Sequence, residues 1–209
     1  MRHHLWKTAV PTALILLAGF TLSACGKDAD GGSMPGMNHA TPSAGSSTSQ
    51  TGDFNDADVA FATQMIPHHQ QAVQMASMAG YSATTPEVKK LAAAIKAAQD
   101  PEIKTLSGWL ASWGKPVPTP SHSGHDMSDM PGMMTEEEMS DLGNTQGSMF
   151  DRMWVEMMIK HHLGAVTMAK TEQTTGKNAD AIALAKKIET GQNAEIATMR
   201  RLLGRLPVS

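Results

Sequence analysis

The sequence predicts an all-α protein, a four-helix bundle made of two duplicated αα-hairpins. Its apolar residues recur at helical spacing, and no segment shows the alternation that a half-buried strand requires. The stretch Met65–His69 returns as Met158–His162, so the second half of the chain repeats the first at an offset of 93 residues. The segment Leu91–Ile103 matches Leu184–Ile196 at the same offset. Because both matches keep their order along the chain, a pair of helices has been duplicated as a unit.

The first hairpin carries clear helix signals. Asn55–Asp56 begins the first helix, which runs to a stop near Gly80. Pro67 lies inside this helix and predicts a local kink beside the histidines. The second helix starts at Thr85–Pro86, a capping residue followed by proline at the first helical position. Pro101 predicts a kink rather than a break, because the matching position of the second hairpin is not proline.

The second hairpin follows the same plan after a short additional helix. Thr135–Glu138 resembles a capping box and opens a short helix that ends at Leu142. The third bundle helix follows Gly147 and is closed by Gly176, and Asn178 begins the last helix. The two hairpins are joined by one long connection, an arrangement known among four-helix bundles.

The N-terminus resembles a bacterial lipoprotein signal. Arg2 and Lys7 precede an apolar run over Ala9–Phe20, which is shorter than a comfortable membrane span. The stretch Leu22–Cys25 then looks like a lipobox, whose cysteine becomes the lipidated first residue. An ordinary secretory signal with a cysteine at its cleavage site is the alternative. We expect an exported cell-envelope lipoprotein, anchored through Cys25 on the periplasmic side of a bacterial membrane.

Three parts of the chain follow from these signals. Residues 1–24 are the expected signal peptide, and residues 25–52 are rich in Gly, Ser, Thr and Asp, as a flexible tether would be. Residues 53–209 are expected to form the bundle, interrupted by a Met- and His-rich connection at 115–134. A net charge of −3 without any basic cluster argues against nucleic acid as a partner.

The connection concentrates side chains that bind soft metal ions. Six of the fourteen residues 121–134 are histidine or methionine. A low-complexity polar linker would explain the Ser, Gly and Pro of this stretch but not that density. The sequence Met-Pro-Gly-Met at 130–133 also occurs in the tether at 34–37. We expect a flexible collector of metal ions, with the candidate ligands His122, His125, Met127, Met130 and Met133.

On the bundle helices, a methionine stands three residues before each histidine pair. Ferritin-like di-iron bundles use Glu-x-x-His at this spacing, whereas this chain has Met-x-x-His. Thioether and imidazole favour Cu(I), or its heavier analogue Ag(I), over the hard ions that carboxylates bind. The alternatives are hydrogen-bonded core histidines and methionines that merely fill gaps. The candidate ligands on the helices are Met65, His68, His69, Met75, Met157, Met158, His161, His162 and Met168.

The second helix of each hairpin carries a matching Gln-x-x-Glu element. Its glutamates are Glu102 and Glu195. A carboxylate of this kind can orient a metal-binding histidine by accepting the hydrogen of its second ring nitrogen. We therefore expect the two glutamates to support the histidines rather than to bind the metal.

The stretch Phe150–Ala169 resembles the signature of the domain-of-unknown-function family numbered 305. The first copy and the Gln-x-x-Glu-Ile segments at Gln99 and Gln192 match it as well, so the resemblance covers Phe54–Leu206. The resemblance implies a secreted, ferritin-like four-helix fold, and some members of the family are copper-binding proteins of the cell envelope. Lys160 stands where the family motif commonly has proline.

These features predict a non-enzymatic, lipid-anchored copper-binding protein that sequesters, stores or hands on Cu(I), with Cu(II) and Ag(I) as further ions. Its partners would be copper ions, the membrane and a protein that exchanges copper with it. One alternative is a ferritin-like metal-dependent oxidase or peroxidase, which needs an open coordination position. Another is a structural envelope module whose stability does not depend on metal.

Overall fold

The computed structural model describes residues 53–119 and 130–207. Within these two ranges the chain forms five α-helices and no strand, which confirms the predicted all-α class. None of these helices is both long and apolar enough to cross a membrane. The predicted signal peptide, the tether and Cys25 lie outside the described residues. The helices are α1 (Asp56–Ser82), α2 (Pro86–Ser112), α3 (Glu136–Asn144), α4 (Gly147–Thr175) and α5 (Ala179–Leu203).

Polar side chains begin three of the helices as the sequence predicts. Asn55 caps α1 by accepting backbone amides of the first turn, and Asp58 accepts the Asn55 amide at 2.6 Å in return. Thr135 and Glu138 form the same reciprocal capping box at the start of α3. Asn178 accepts two backbone amides at the start of α5. These bonds satisfy amides that have no partner inside their own helix.

The start of α2 is capped from another helix. Thr85 occupies the predicted cap position, but its side chain makes no bond to the amides of α2. Instead, the carboxylate of Asp151 accepts the backbone amides of Thr84 and Thr85 at 3.0 and 2.8 Å, and both threonine hydroxyls as well. Burial raises the pKa of Asp151, but these hydrogen bonds outweigh burial and hold the pKa below its usual range. The capping group differs from the prediction because a carboxylate is a stronger acceptor than a hydroxyl.

The duplication repeats this cap at the opposite end of the bundle. Asp58, which matches Asp151, accepts the backbone amides of Lys177 and Asn178 at 3.1 and 2.9 Å. Asp58 lies near the start of α1 and caps the connection after α4. Asp151 lies near the start of α4 and caps the connection after α1. The helices α1 and α4 therefore run antiparallel, so that the start of each one meets the end of the other.

Both internal prolines are accommodated within continuous helices. Helix α1 runs through Pro67 and α2 runs through Pro101, so α2 is one helix as predicted. The predicted stop of α1 near Gly80 is two residues early, because the helix continues to Ser82. The chain then leaves the helix in an extended conformation at Ala83, so this helix end does not require a glycine in the left-handed region.

The four long helices pack as two hairpins that meet along α1 and α4. Helix α1 packs on α2 and α4 packs on α5, and the contact between α1 and α4, the α1–α4 seam, joins the hairpins. Two separate apolar cores lie along this bundle. One contains Phe150, Trp154 and Met75, and the other contains Phe61 and Leu106. The indole nitrogen of Trp154 donates to the backbone carbonyl of Met75 at 2.9 Å, across the seam.

Candidate metal centre

A polar layer separates the two apolar cores at the middle of the bundle. On each long helix, two polar residues stand between the residues of one core and those of the other. Seven of these eight side chains are buried and the eighth, Glu195, is half-buried. The polar layer consists of His68 and His69 from α1, Gln99 and Glu102 from α2, His161 and His162 from α4, and Gln192 and Glu195 from α5. Burying so many polar groups is costly unless they have partners or a ligand, and the layer is therefore the candidate metal centre.

Two histidines of the layer are bonded to glutamates of the neighbouring helix. His69 Nε2 lies 3.0 Å from Glu102 Oε2, and His162 Nε2 lies 2.7 Å from Glu195 Oε2. Because a carboxylate only accepts, each Nε2 carries the hydrogen of this bond, and in the neutral form of the ring Nδ1 then keeps its lone pair. Burial raises the pKa of Glu102, but the bond to His69 and the charge of Lys187 outweigh it and lower the pKa. The predicted histidine–glutamate contacts are thus present in both hairpins.

The other two histidines meet across the α1–α4 seam. The ring centroids of His68 and His161 are 3.8 Å apart, with 42° between the ring planes. His68 Nε2 donates to the backbone carbonyl of Pro131 at 3.1 Å. Burial, followed by repulsion from His69, lowers the pKa of His68 to about 3, and burial holds the pKa of His161 well below its usual value. Both rings are therefore neutral at pH 7, which is the form that binds a metal ion.

Several buried atoms of the layer have no hydrogen-bond partner in residues 53–119 and 130–207. They include five ring nitrogens, namely Nδ1 of all four histidines and Nε2 of His161. The side-chain oxygens of Gln99 and Gln192 are in the same position. A buried polar group without a partner costs about 1–3 kcal/mol, so this concentration indicates that the layer holds a ligand, an ion or water. Unprotonated imidazole nitrogens are the donors that copper and other late transition metals take.

The methionines predicted as ligands take up different positions around the layer. Met65 and Met158 are fully buried, stand one helical turn before the histidine pairs, and belong to opposite cores. Met75 and Met168 are buried further along the helices, at 0% and 7% exposure. Met157 is only half-buried and packs at the edge of its core. Among these five methionines, the two of the Met-x-x-His motifs are the ones that stand one helical turn from a histidine pair and are fully buried.

The donor set of the layer is not that of a di-iron protein. In residues 53–119 and 130–207, no three or more His, Cys, Asp and Glu side chains are grouped so as to hold a metal ion. A ferritin-like di-iron centre requires four carboxylates and two histidines. Imidazole nitrogens instead suit late transition metals such as copper, and a thioether beside them would favour the softer Cu(I).

The end of the connection is docked on the bundle. Met133 and Met134 are buried, and Met130 is half-buried. The side chain of Gln71 donates to the Met134 carbonyl at 2.9 Å and accepts the Met134 amide at 2.8 Å. The prediction of a flexible collector is therefore wrong for residues 130–134, because their backbone and apolar side chains find partners on α1 and in the core. The remaining candidates of the connection, His122, His125 and Met127, lie outside the described residues.

Sequence reasoning missed several residues that complete the site. Gln99 and Gln192 were recognised as a repeated motif but not as members of the polar layer. Gln71, Pro131 and Gly164 hold the end of the connection against the histidines. A signal existed for Gly164, since an isolated glycine inside a helical pattern usually has a packing reason.

Fold and layer together define a helical bundle with a buried layer of four imidazole groups at its middle. The chain belongs to the DUF305 family, a domain of unknown function, which it matches over residues 58–203. This confirms the resemblance that the repeated motif indicates. No curated protein matches the chain.

Solved structures share this fold over most of their length. A DUF305 protein of Streptomyces coelicolor that is thought to be secreted is 34% identical, covering 71% of this chain and 92% of that chain, with a TM-score of 0.64. A DUF305 fragment from Deinococcus radiodurans is 30% identical, and the match covers 74% of this chain and 100% of that fragment, with a TM-score of 0.67. CopM in its Cu(II)-bound form is 37% identical, and the match covers 70% of this chain and 95% of CopM, with a TM-score of 0.60. CopM has also been solved with Cu(I) and with silver.

Proposed function

We propose that this protein binds copper, with Cu(I) held in the polar layer, and that it does so in the cell envelope. The observation that carries the proposal is the set of five buried ring nitrogens that have no hydrogen-bond partner in the described part of the chain. The proposal is supported by CopM, a relative at 34% identity or more that has been solved with Cu(I), Cu(II) and silver. The same donors would accept Ag(I), and imidazole nitrogens alone would accept Cu(II).

The layer is arranged to keep its donors ready for an ion. Glu102 and Glu195 accept the Nε2 hydrogens of His69 and His162, which fixes those rings and leaves Nδ1 as the donor atom. Burial holds the pKa of His161 low, so that no proton needs to leave this ring when a metal binds. Helix packing positions these side chains in advance and so reduces the entropy cost of assembling a site.

The proposed role is sequestration, storage or transfer of the ion rather than turnover of a substrate. His122, His125 and Met127 would collect ions from solution and pass them to the layer, and a second protein would exchange copper with the loaded form. Export and a lipid anchor at Cys25 would place these events outside the cytoplasm. A catalytic alternative is testable directly, since metal-loaded protein should turn over neither Cu(I), Fe(II) nor peroxide.

Titration with Cu(I) in competition with a chromophoric chelator tests the site. The variant His68→Ala/His161→Ala should lose the tightest binding step, because it removes three of the five open ring nitrogens. The matched control His122→Ala/His125→Ala also removes two histidines and should retain that step. Equal affinity and stoichiometry in the wild type and in the layer variant would overturn the assignment of the layer.

The thioether contribution needs a separate pair of variants. Replacing Met65 and Met158 with leucine conserves volume, so the expected structural cost is below about 1.5 kcal/mol per site. The expected result is weaker binding of Cu(I) with little change for Cu(II), because thioether donors favour the softer ion. Met139 and Met199, which are also buried, supply the control in a Met→Leu pair. Equal Cu(I) affinity in the two pairs would show that Met65 and Met158 only fill the core.

The proposed anchor is tested by metabolic labelling with palmitate. The wild-type chain should incorporate the label and partition with membranes, whereas Cys25→Ser should do neither. Export of an unlabelled wild-type chain would instead support the ordinary secretory signal.

A further inference from the structure

The turn formed by residues 130–134 lies against both helices of the α1–α4 seam, beside the His68–His161 pair. On the α1 side, Gln71 makes two hydrogen bonds to Met134, and His68 donates to the Pro131 carbonyl. On the α4 side, the backbone of the turn packs directly on the backbone of the helix. This turn therefore bridges the two hairpins at the level of the polar layer.

Two glycines make the contact with α4 possible. Gly132 has a φ of +79°, and a Cβ on it would lie 2.7 Å from the Lys160 carbonyl oxygen and 2.9 Å from that of His161. A Cβ on Gly164 would fall far inside the contact distance of the Pro131 carbonyl oxygen. Only residues without a side chain allow two backbones to approach so closely.

The duplicated hairpins differ in the surface that the turn contacts. Gln71 and Gly164 occupy the same position in the two copies, 93 residues apart. In the first copy this position binds the turn through a side chain, and in the second copy it makes room for the turn by lacking one. Both residues contact the backbone of the same turn, which indicates a binding surface specific for this turn rather than incidental packing.

We propose that the turn is a positioning element of the polar layer: the Pro131 carbonyl fixes the ring of His68, and release of the turn controls exchange of the bound ion with solution. This inference rests on the proposed function. The Pro131 carbonyl holds the Nε2 hydrogen of His68 as Glu102 and Glu195 hold those of His69 and His162. Three rings therefore share one tautomer, with Nδ1 left as the donor atom.

The test uses the full chain with Gly164→Ala, whose new methyl group must displace the turn. Gly191→Ala is the matched control, since it also places alanine inside a helix but has nothing within 4 Å of the added Cβ. A second variant, Gln71→Leu, removes both bonds to Met134 without adding an atom at Gly164. Agreement between the two variants separates release of the turn from distortion of α4.

Three measurements are made on each variant. In metal-free protein, amide hydrogen exchange at Met134 reports whether the turn is docked, and long-range ¹⁵N correlations of the imidazole report the tautomer of His68. Transfer of Cu(I) to a chelator then gives the dissociation rate. Gly164→Ala and Gln71→Leu should speed exchange at Met134 and mix the two His68 tautomers. Losing a group that orients a ligand typically lowers metal affinity roughly 10–100-fold, and we expect Cu(I) dissociation to accelerate by about that factor.

The outcomes separate this inference from the proposed function. The inference is overturned if both variants release Met134 while the His68 tautomer and the Cu(I) dissociation rate stay at the values of Gly191→Ala. It is also overturned if Met134 exchanges in the wild type as fast as in an unstructured peptide. If the wild type binds no Cu(I) in the layer, the proposed function fails, whereas the tautomer in metal-free protein still decides whether the turn positions His68.

Discussion

Glu172 is a buried acid whose protonation should govern stability near neutral pH. Its side chain is 1% exposed, and its carboxyl oxygens accept no hydrogen bond from the described residues. Burial, a hydrogen bond to the Asp58 carboxyl group and repulsion from its charge raise the pKa of Glu172 to about 8. Burial also acts to raise the pKa of Asp58, but its hydrogen bonds to Asn55, Glu172 and the amides at 177–178 outweigh burial and lower it. Asp58 therefore keeps its charge while Glu172 keeps its proton.

The sign of the effect follows from the raised pKa. Between the unfolded value of 4.5 and the folded value of about 8, the folded chain holds a proton on Glu172 that the unfolded chain has lost. Stability therefore falls as pH rises through this window, by up to about 1.4 kcal/mol per pH unit. Between pH 4.5 and pH 7, the free energy of unfolding can fall by at most about 3.4 kcal/mol from this titration. Relaxation and water around the two carboxyl groups reduce the expected loss to about 2–3 kcal/mol. The stability that Asp58 contributes is lost only as pH falls below 3.8, outside this window.

The variant Glu172→Gln removes this titration. Its amide can donate to Asp58 as the protonated acid does, and it stays neutral in the unfolded chain. Thermal melts of metal-free protein should therefore nearly coincide with the wild type at pH 5. At pH 7 the variant should melt about 4–12 °C higher, since 1 kcal/mol shifts the midpoint of a domain of this size by about 2–4 °C.

A surface carboxyl group supplies the control for this measurement. Glu156 lies on the same helix with its side chain 51% exposed. The difference in melting temperature between Glu156→Gln and the wild type should not grow as pH rises. The side chain of Lys177, whose backbone amide donates to Asp58, pairs with Asp53 at 2.6 Å. A difference between Glu172→Gln and wild type that stays constant from pH 5 to pH 8 would refute the assignment of a proton to Glu172.

Asp151→Asn should cost about 1.5–3 kcal/mol at pH 7 in urea unfolding, because charged hydrogen bonds to four donors are weakened. Since the wild-type contribution disappears as pH falls through a folded pKa below 3.8, the variant should also lose less stability in acid. Trp154→Phe should cost about 1–3 kcal/mol in the same assay by removing the bond to Met75 and leaving a void. Replacing His122, His125 and Met127 with serine should lower total copper capacity in a titration without changing the tightest step, because helix packing positions the proposed ligands of that step in advance.

Much of the fold could be predicted because its signals are local and occur twice. The helix start at Asn55 and the capping box at Thr135 are predicted from short sequence patterns, and the structure has both where they were predicted. The duplicated motifs also predicted that Glu102 and Glu195 would contact histidines. Which histidine each glutamate takes could not be predicted, since adjacent residues point about 100° apart on a helix and only the packing of the hairpins decides between them.

The contacts that sequence reasoning missed join residues far apart in the chain. The bond between His68 and Pro131 spans 63 positions, and the caps from Asp58 and Asp151 span about as many or more. Nothing in the connection itself shows that its last five residues are docked, because the partners lie on α1 and α4. The separation of the polar layer from the two cores is likewise visible only when four helices are aligned side by side.

The turn at residues 130–134 contacts both hairpins, and because its two contacts differ, the hairpins are no longer equivalent. The first copy of the repeated position holds the passing backbone with Gln71, and the second admits it with Gly164. As a result, His68 has a carbonyl partner from the turn, while neither nitrogen of its counterpart His161 has a partner among the described residues. The two histidine pairs are therefore alike in sequence and unlike in chemistry. In the proposed function, His161 is the ring that is free to bind an ion through either nitrogen, and His68 is the ring whose donor atom the turn selects.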